Sequence, residues 1–186
     1  HITYNDDAMV NVMNFLKRIE TGDELFEAMK LSDEQRAKAK TAYDKGVECI
    51  LNTQIIVDGK PTVWCAQHDE FTLAPAMARS YELESFSGKE SVGIIQLLME
   101  IENPSKEIIA AVNGAVEWLD NHRIKGIRID RFRNEDGEKD KVVVADSTAP
   151  DLWARFYDLE TAEPYFCDRD GIKKKSLAEI GIDRRG

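Results

Sequence analysis

Apolar residues recur at helical spacing along residues 8 to 19, "AMVNVMNFLKRI", where Met9, Val12, Met13 and Leu16 fall on one face. The stretch "LSDEQRAKAKTAYDKGVECILNTQI" keeps that period, with Tyr43, Val47, Ile50 and Leu51 as its predicted buried stripe. It opens on Ser32 with Gln35 three residues later. Each of those side chains can satisfy a backbone group that the first helical turn leaves unpaired. "SGKESVGIIQLLMEI" repeats the signature in Ser87 and Glu90, with a core face at Ile94 or Ile95, Leu98 and Ile101. In "NPSKEIIAAVNGAVEWLDNH", Asn103 is expected as N-cap and Pro104 at the first helical position, where its missing N–H is no loss. Ile108, Val112, Ala115 and Leu119 form the stripe of that helix.

The period then changes. "IKGIRIDRF" and "KVVVADS" read as strands, and the polar "RNEDGEKD" between them makes a long-looped hairpin. Asp58-Gly59 suits a tight hairpin turn. Trp64 and Cys65 look like the end of a buried strand. Beyond residue 150 the chain is aromatic and irregular until "SLAEIGID", a short helix. No repeat of fixed period is visible. The prediction is a mainly α fold with short β-hairpins, its polar motifs carried on the loops between helices.

Composition narrows this picture. The chain has 186 residues, 42% of them hydrophobic, which fits a single domain over 1–186 with a real core. No apolar run approaches a membrane-spanning length, and the start carries no secretory signal. The first residue is His1 and not Met, so upstream sequence is expected in the native protein. A formal net charge of -10 argues against nucleic acid as a partner and, taken alone, against an acidic substrate. A divalent cation would reverse the second inference, because calcium takes carboxylate oxygens and the chain has 35 acidic side chains. The ordinary alternative is a solvated acidic surface. Cys49, Cys65 and Cys167 lie far apart with no C-x-x-C, so a zinc site is not expected. One disulfide with a free thiol, or three buried thiols, both fit.

Three clusters could carry chemistry. In "YNDDA", Asp6 and Asp7 precede a helix. They read either as an N-cap with a first-turn acid or as oxygen ligands for a cation. In "WCAQHDEFTLAPAMARSYE", His68, Asp69 and Glu70 enter a loop that Pro75 keeps from being helical. Cys65 and His68 are poorly spaced for a thiol nucleophile and lack an orienting third group. Arg79, beside Ser80, Tyr81 and Glu82, is either half of a buried ion pair or a fork for a substrate carboxylate. In "DLWARFYDLETAEPYFCDRDG", Arg155 lies among Trp153, Phe156 and Tyr157, and Arg169 lies between Asp168 and Asp170. Guanidinium groups beside flat rings suit sugars that carry acids, though the same mixture also occurs in plain cores.

Together, "TVWCAQHDEFTLAPAMARSYELESFSGKES", "NPSKEIIAAVNGAVEWLDNHRIKGI", "LWARFYDLETAEPYFCDRDG" and the leading "ITYNDDAM" resemble the family 10 polysaccharide lyases, in order and over nearly the whole chain. The resemblance implies a helical toroid-like (α/α) architecture, of which this chain would be the C-terminal portion of a larger catalytic module. It implies calcium-dependent cleavage of polygalacturonate by anti β-elimination, giving 4,5-unsaturated oligogalacturonides. Arg79 would be the base, an unusual role for a group normally protonated. Arg155 and Arg169 would bind substrate carboxylates or sugar oxygens. Asp6, with Asp7 as the near competitor, would hold Ca2+. His68 and Asp69 would shape their loop or touch a sugar hydroxyl. The expected setting is a secreted or periplasmic monomer whose partner is pectate, with neither nucleic acid nor membrane involved. A non-catalytic helical module that binds acidic polysaccharide is the alternative, and a helical scaffold with buried ion pairs the third.

Overall fold

Ser32 opens the longest helix as its sequence predicts. Its hydroxyl accepts from the Gln35 N–H, and the Ser32 N–H donates to the Gln35 side chain at 2.9 Å. This helix, α2 (Asp33–Thr53), follows α1 (Ala8–Thr21) in a computed structural model that describes residues 1–185. α3 (Gly88–Met99), α4 (Lys106–Asn121) and the single-turn α5 (Ile182–Arg185) complete the set. α1 packs on α2 and α3, and α4 packs on α3 and α2, so the four longer helices close a ring of contacts. Met13 is the fully buried residue of α1. Its thioether occupies the space that a side chain at Gly46 of α2 would fill, so glycine there permits the close approach. Val12, predicted on the same face, is instead more than half exposed.

Among the described residues the strands form five two-stranded antiparallel ribbons. These are β1 (Ile2–Thr3) with β4 (Gln67–His68), β2 (Ile56–Val57) with β3 (Lys60–Pro61), and β5 (Phe86–Ser87) with β8 (Phe156–Tyr157). The others are β6 (Ile127–Arg133) with β7 (Lys139–Ala145), and β9 (Phe166–Cys167) with β10 (Lys173–Lys174). Asp58 and Gly59 both have positive φ, 51° and 76°, as the two-residue turn of β2–β3 demands. β6–β7 is the predicted long-looped hairpin. "SLAEIGID" is less regular than expected: a capped 3-10 turn over Leu177–Glu179 precedes α5.

The core lies between the four helices and the segment 63–66. Trp64 is fully buried, and its indole N–H donates to the Ile50 carbonyl at 2.8 Å. The segment is buried, but it joins no ladder before Gln67. α4 is turned relative to its predicted stripe: Ile108, Ala111, Ala115 and Trp118 are buried, while Val112 and Leu119 are only partly so. Trp118 claims the inward position because its large ring packs on Phe86 and Tyr157. The α4 cap is Ser105, whose hydroxyl accepts from the Ile108 N–H, so Asn103 and Pro104 lie outside the helix. All three cysteines are free thiols, and burial pushes the Cys65 thiol pKa up.

Candidate active site

Two backbone features bring distant residues together. Tyr4 N–H and Asn5 N–H both donate to the Ala66 carbonyl, which sets the Asn5–Asp7 turn beside the 64–82 stretch. Pairing of β5 with β8 then lays residue 155 across the start of α3, where Gly88 N–H donates to the Arg155 carbonyl at 2.9 Å. A side chain at Gly88 would strike the Ala154 carbonyl, so this approach also needs glycine.

Asp6 and Asp7 are left-handed, with φ of 51° and 60°. Neither caps α1, because neither side chain accepts a backbone N–H at its start. Such residues cost on the order of 1 kcal/mol each, and Asp tolerates the conformation better than most. The two carboxylates part company. Asp7 lies against Gly93 of α3, in room that a larger residue would take. Asp6 is 68% exposed in its side chain and sits loosely between Arg79 at 3.6 Å and Lys89 at 3.5 Å.

Beneath them is a buried acidic pair. Glu82, 1% exposed, takes the Arg79 Nε–H at 2.9 Å and the Asn5 amide at 3.0 Å on one oxygen. Its other oxygen lies 3.4 Å from Arg155 Nη2 and has no hydrogen bond. Glu90, equally buried, holds Arg155 Nη2 at 2.9 Å, and the same nitrogen donates to Asn5 Oδ1 at 2.6 Å. The Ser87 hydroxyl donates to Glu90 and never caps α3, so the expected capping box does not form. Arg79, Lys89 and Arg155 thus meet Asp6, Glu82 and Glu90, three cations against three carboxylates. Glu82 holds the Arg79 pKa above its ordinary value, chiefly through that hydrogen bond.

The other predicted residues lie apart from this cluster. His68 is fully buried, its Nε2 accepting from Cys65 N–H and its Nδ1 donating to the Leu73 carbonyl. With both nitrogens spent on backbone it has nothing to offer a sugar, and this corrects the expected substrate contact. Burial lowers its pKa and keeps the ring neutral. Asp69 accepts from the N–H groups of Phe71 and Thr72 and from the Thr72 hydroxyl, so it shapes its turn. Arg169 is exposed and pairs with Asp183 at 3.2 Å. Its loop still abuts the Arg79 turn, since Gly171 lies against the Ser80 carbonyl and the Arg184 guanidinium stacks 3.5 Å over Tyr81.

Glu82, Lys89, Glu90 and Asn5 are the members that sequence reasoning left without a site role. Glu90 looked like a capping residue, and the neighbouring Lys89 carried no pattern of its own. One signal was available: a basic and an acidic residue side by side at a helix start, in "SGKES".

The profile of one protein family, described as pectic acid lyase, matches residues 1–186. The chain belongs to the pectic acid lyase family. Two solved structures of the family 10 polysaccharide lyase from Cellvibrio cellulosa are similar, each with a TM-score of 0.85, 34% identity and 98% of this chain covered. One of them is an aspartate-to-alanine mutant in complex with trigalacturonic acid. The chain spans 56% and 55% of the lengths of those two. A search of curated proteins returned no match. For this member of the family, the Asp6–Arg79–Lys89–Arg155 surface is the candidate site.

The donor chemistry there can be set against the calcium that the resemblance implies. Asp6 fits: its carboxylate is exposed and loosely paired, and it offers hard oxygens. Asp7 does not fit as placed, because its carboxylate is packed on α3. Among the described residues, the three acidic or His side chains whose ligand atoms converge within 4.8 Å are His1, Asp69 and Glu70, outside this cluster. There Asp69 is already taken by its turn.

Proposed function

We propose that this chain carries the reaction surface of a calcium-dependent pectate lyase, acting outside the cytoplasm on polygalacturonate by anti β-elimination. One observation carries the reading: Arg79 and Lys89 converge on the exposed carboxylate of Asp6, and Arg155 is held beside them by Glu82, which also binds Arg79. The trigalacturonic acid bound by the similar structure supports a uronate polymer as substrate. The closed ring of four helices, with the 0.85 TM-score, supports a place in an α/α toroid.

In elimination a base removes the C5 proton of a uronate. The C–H electron pair becomes the C4–C5 double bond, and the C4 oxygen leaves. Charge grows on the C5 carboxylate, and Arg155 and Lys89 stand where they can take it. Arg79 is the proposed base. Glu82 opposes that role by holding the guanidinium protonated. Desolvation acts the other way, but more weakly. Asp6 would hold the calcium, which when bound supplies positive charge to the sugar carboxylate. Arg169, on the adjoining loop, would exchange its Asp183 partner for a more distant substrate carboxylate.

The test is to incubate the chain with polygalacturonate and calcium and to follow the ultraviolet absorbance of the 4,5-unsaturated uronide. Product that a chelator abolishes and calcium restores is the expected result. Retention on pectate without product would favour the non-catalytic binding module. Turnover indifferent to chelation would remove the metal role of Asp6.

A further inference from the structure

We infer that the groove beside the ion cluster is a saccharide subsite that grips a further pyranose unit of the polymer, beyond the two that flank the scissile bond, by its C–H face, with Trp153 as the platform. The inference rests on the polygalacturonate reading above. The groove holds about 480 Å³ and runs between α3, α4 and the strap 151–155. That volume is ordinary for a small-molecule site. Its exposed apolar surface comes from three side chains that have water on one side: Val92, Val116 and Trp153, each between 41% and 46% exposed. Large apolar residues gathered at one place mark an interaction surface more than scattered ones do.

The platform is held in place. The Trp153 indole N–H donates to the Leu119 carbonyl at 2.8 Å. Leu152 on one side pairs with Ile124 through two backbone bonds, and Ala154 N–H on the other donates to the Tyr157 hydroxyl. A ring fixed before binding loses little freedom on meeting a ligand. The groove also opens directly onto the cluster, because Lys89 and Arg155 line it as well as the candidate active site. At its other end Asp120 and Asp151 are both paired with Arg123, at 2.6 and 3.4 Å, so no free anion there repels a polyanion. An occupant must therefore present an apolar face to the wall and continue towards cations. A pyranose ring of the same chain does both. Away from the end lined by Lys89 and Arg155 the wall offers a carboxylate no unpaired cation, because Arg123 is held by Asp120 and Asp151, so a unit seated on Trp153 is accepted as a methyl ester as readily as a free acid.

The experiment uses the 186-residue chain with di- and hexagalacturonate, measured by calorimetry and by indole fluorescence. Trp153 is the half-exposed tryptophan, whereas Trp64 and Trp118 are buried. Hexamer but not dimer is expected to perturb the emission. Trp153→Ala should weaken hexamer binding roughly tenfold, as loss of a central aromatic contact does, and leave the dimer unchanged. Trp153→Phe should retain most of the affinity. A partly methyl-esterified hexamer should show the same sensitivity to Trp153→Ala. If the alanine variant fails to fold, Val116→Glu, which sets an anion at an exposed position of the groove, should produce the same hexamer-specific loss. Equal losses for both oligomers, or none, would overturn the groove while the cluster reading stands. A wild-type chain that binds neither oligomer removes the polygalacturonate reading and the groove with it.

Discussion

The two halves of the 64–82 stretch make an instructive pair. Each buries a titratable side chain almost completely, His68 in one and Glu82 in the other. His68 spends both ring nitrogens on backbone groups of its own loop. Glu82 meets side chains from other segments: Asn5, Arg79 and Arg155. Backbone partners are fixed in number, so the histidine is saturated and neutral. Ionic partners leave residual charge, an oxygen without a hydrogen bond and an arginine that reaches solvent. Density of titratable residues therefore does not distinguish scaffold from site. The nature of their partners does.

The largest effect that tests this contrast is on chemistry. Arg79→Ala should cut formation of unsaturated product by at least about 100-fold, in the range of a lost acid–base group, in a chain that still folds but melts earlier because Glu82 loses one of its partners. Arg79→Lys should stay impaired, because an ammonium cannot reproduce the planar fork. Wild-type rates in either variant would make this half as structural as the other.

Stability comes next. Glu82→Ala should destabilise the chain by about 3 kcal/mol, the low end for a broken buried pair because both arginines reach water. Denaturant midpoints measure it, and an unchanged midpoint would show that the pairs carry nothing. His68→Ala should lose about 2 kcal/mol by leaving a buried N–H and a carbonyl unpaired, while product formation by the folded fraction persists. Loss of turnover in well-folded protein would return His68 to the site.

The smallest effect concerns pH. The folded-state pKa of His68 lies below its ordinary 6.5. The unfolded chain therefore binds a proton that the folded chain resists. This contribution is complete above pH 6.5 and is lost as pH falls below it, with a slope of at most about 1.4 kcal/mol per pH unit. Thermal melts between pH 7 and pH 5 should show the decline, and His68→Gln should flatten it. An identical slope in the variant would assign the decline to another group.

Much of the architecture was legible along the chain. The Ser32–Gln35 box, the Asp58-Gly59 turn and the long hairpin all depend on neighbours within a few residues, and each stands where its pattern placed it. Patterns failed where one more turn of context mattered. Asn103 and Ser105 are both good caps by residue type, and the helix uses Ser105. Ser87 and Glu90 formed a plausible capping box until Arg155, 65 residues away, claimed the carboxylate.

By itself the sequence determined the helices, the turns and, through its likeness to a lyase family, the arginines worth watching. Those features rest on short-range spacing and on residue type, which a linear string records in full. Only the tertiary structure decided that Lys89 and Glu82 belong beside Asp6 and Arg155, that Asp7 turns to α3, and that His68 is sealed. Such choices follow from contacts between segments up to 150 residues apart, as between Asn5 and Arg155. The energy of a buried charge depends on which partners folding brings to it, and spacing along the chain does not encode that.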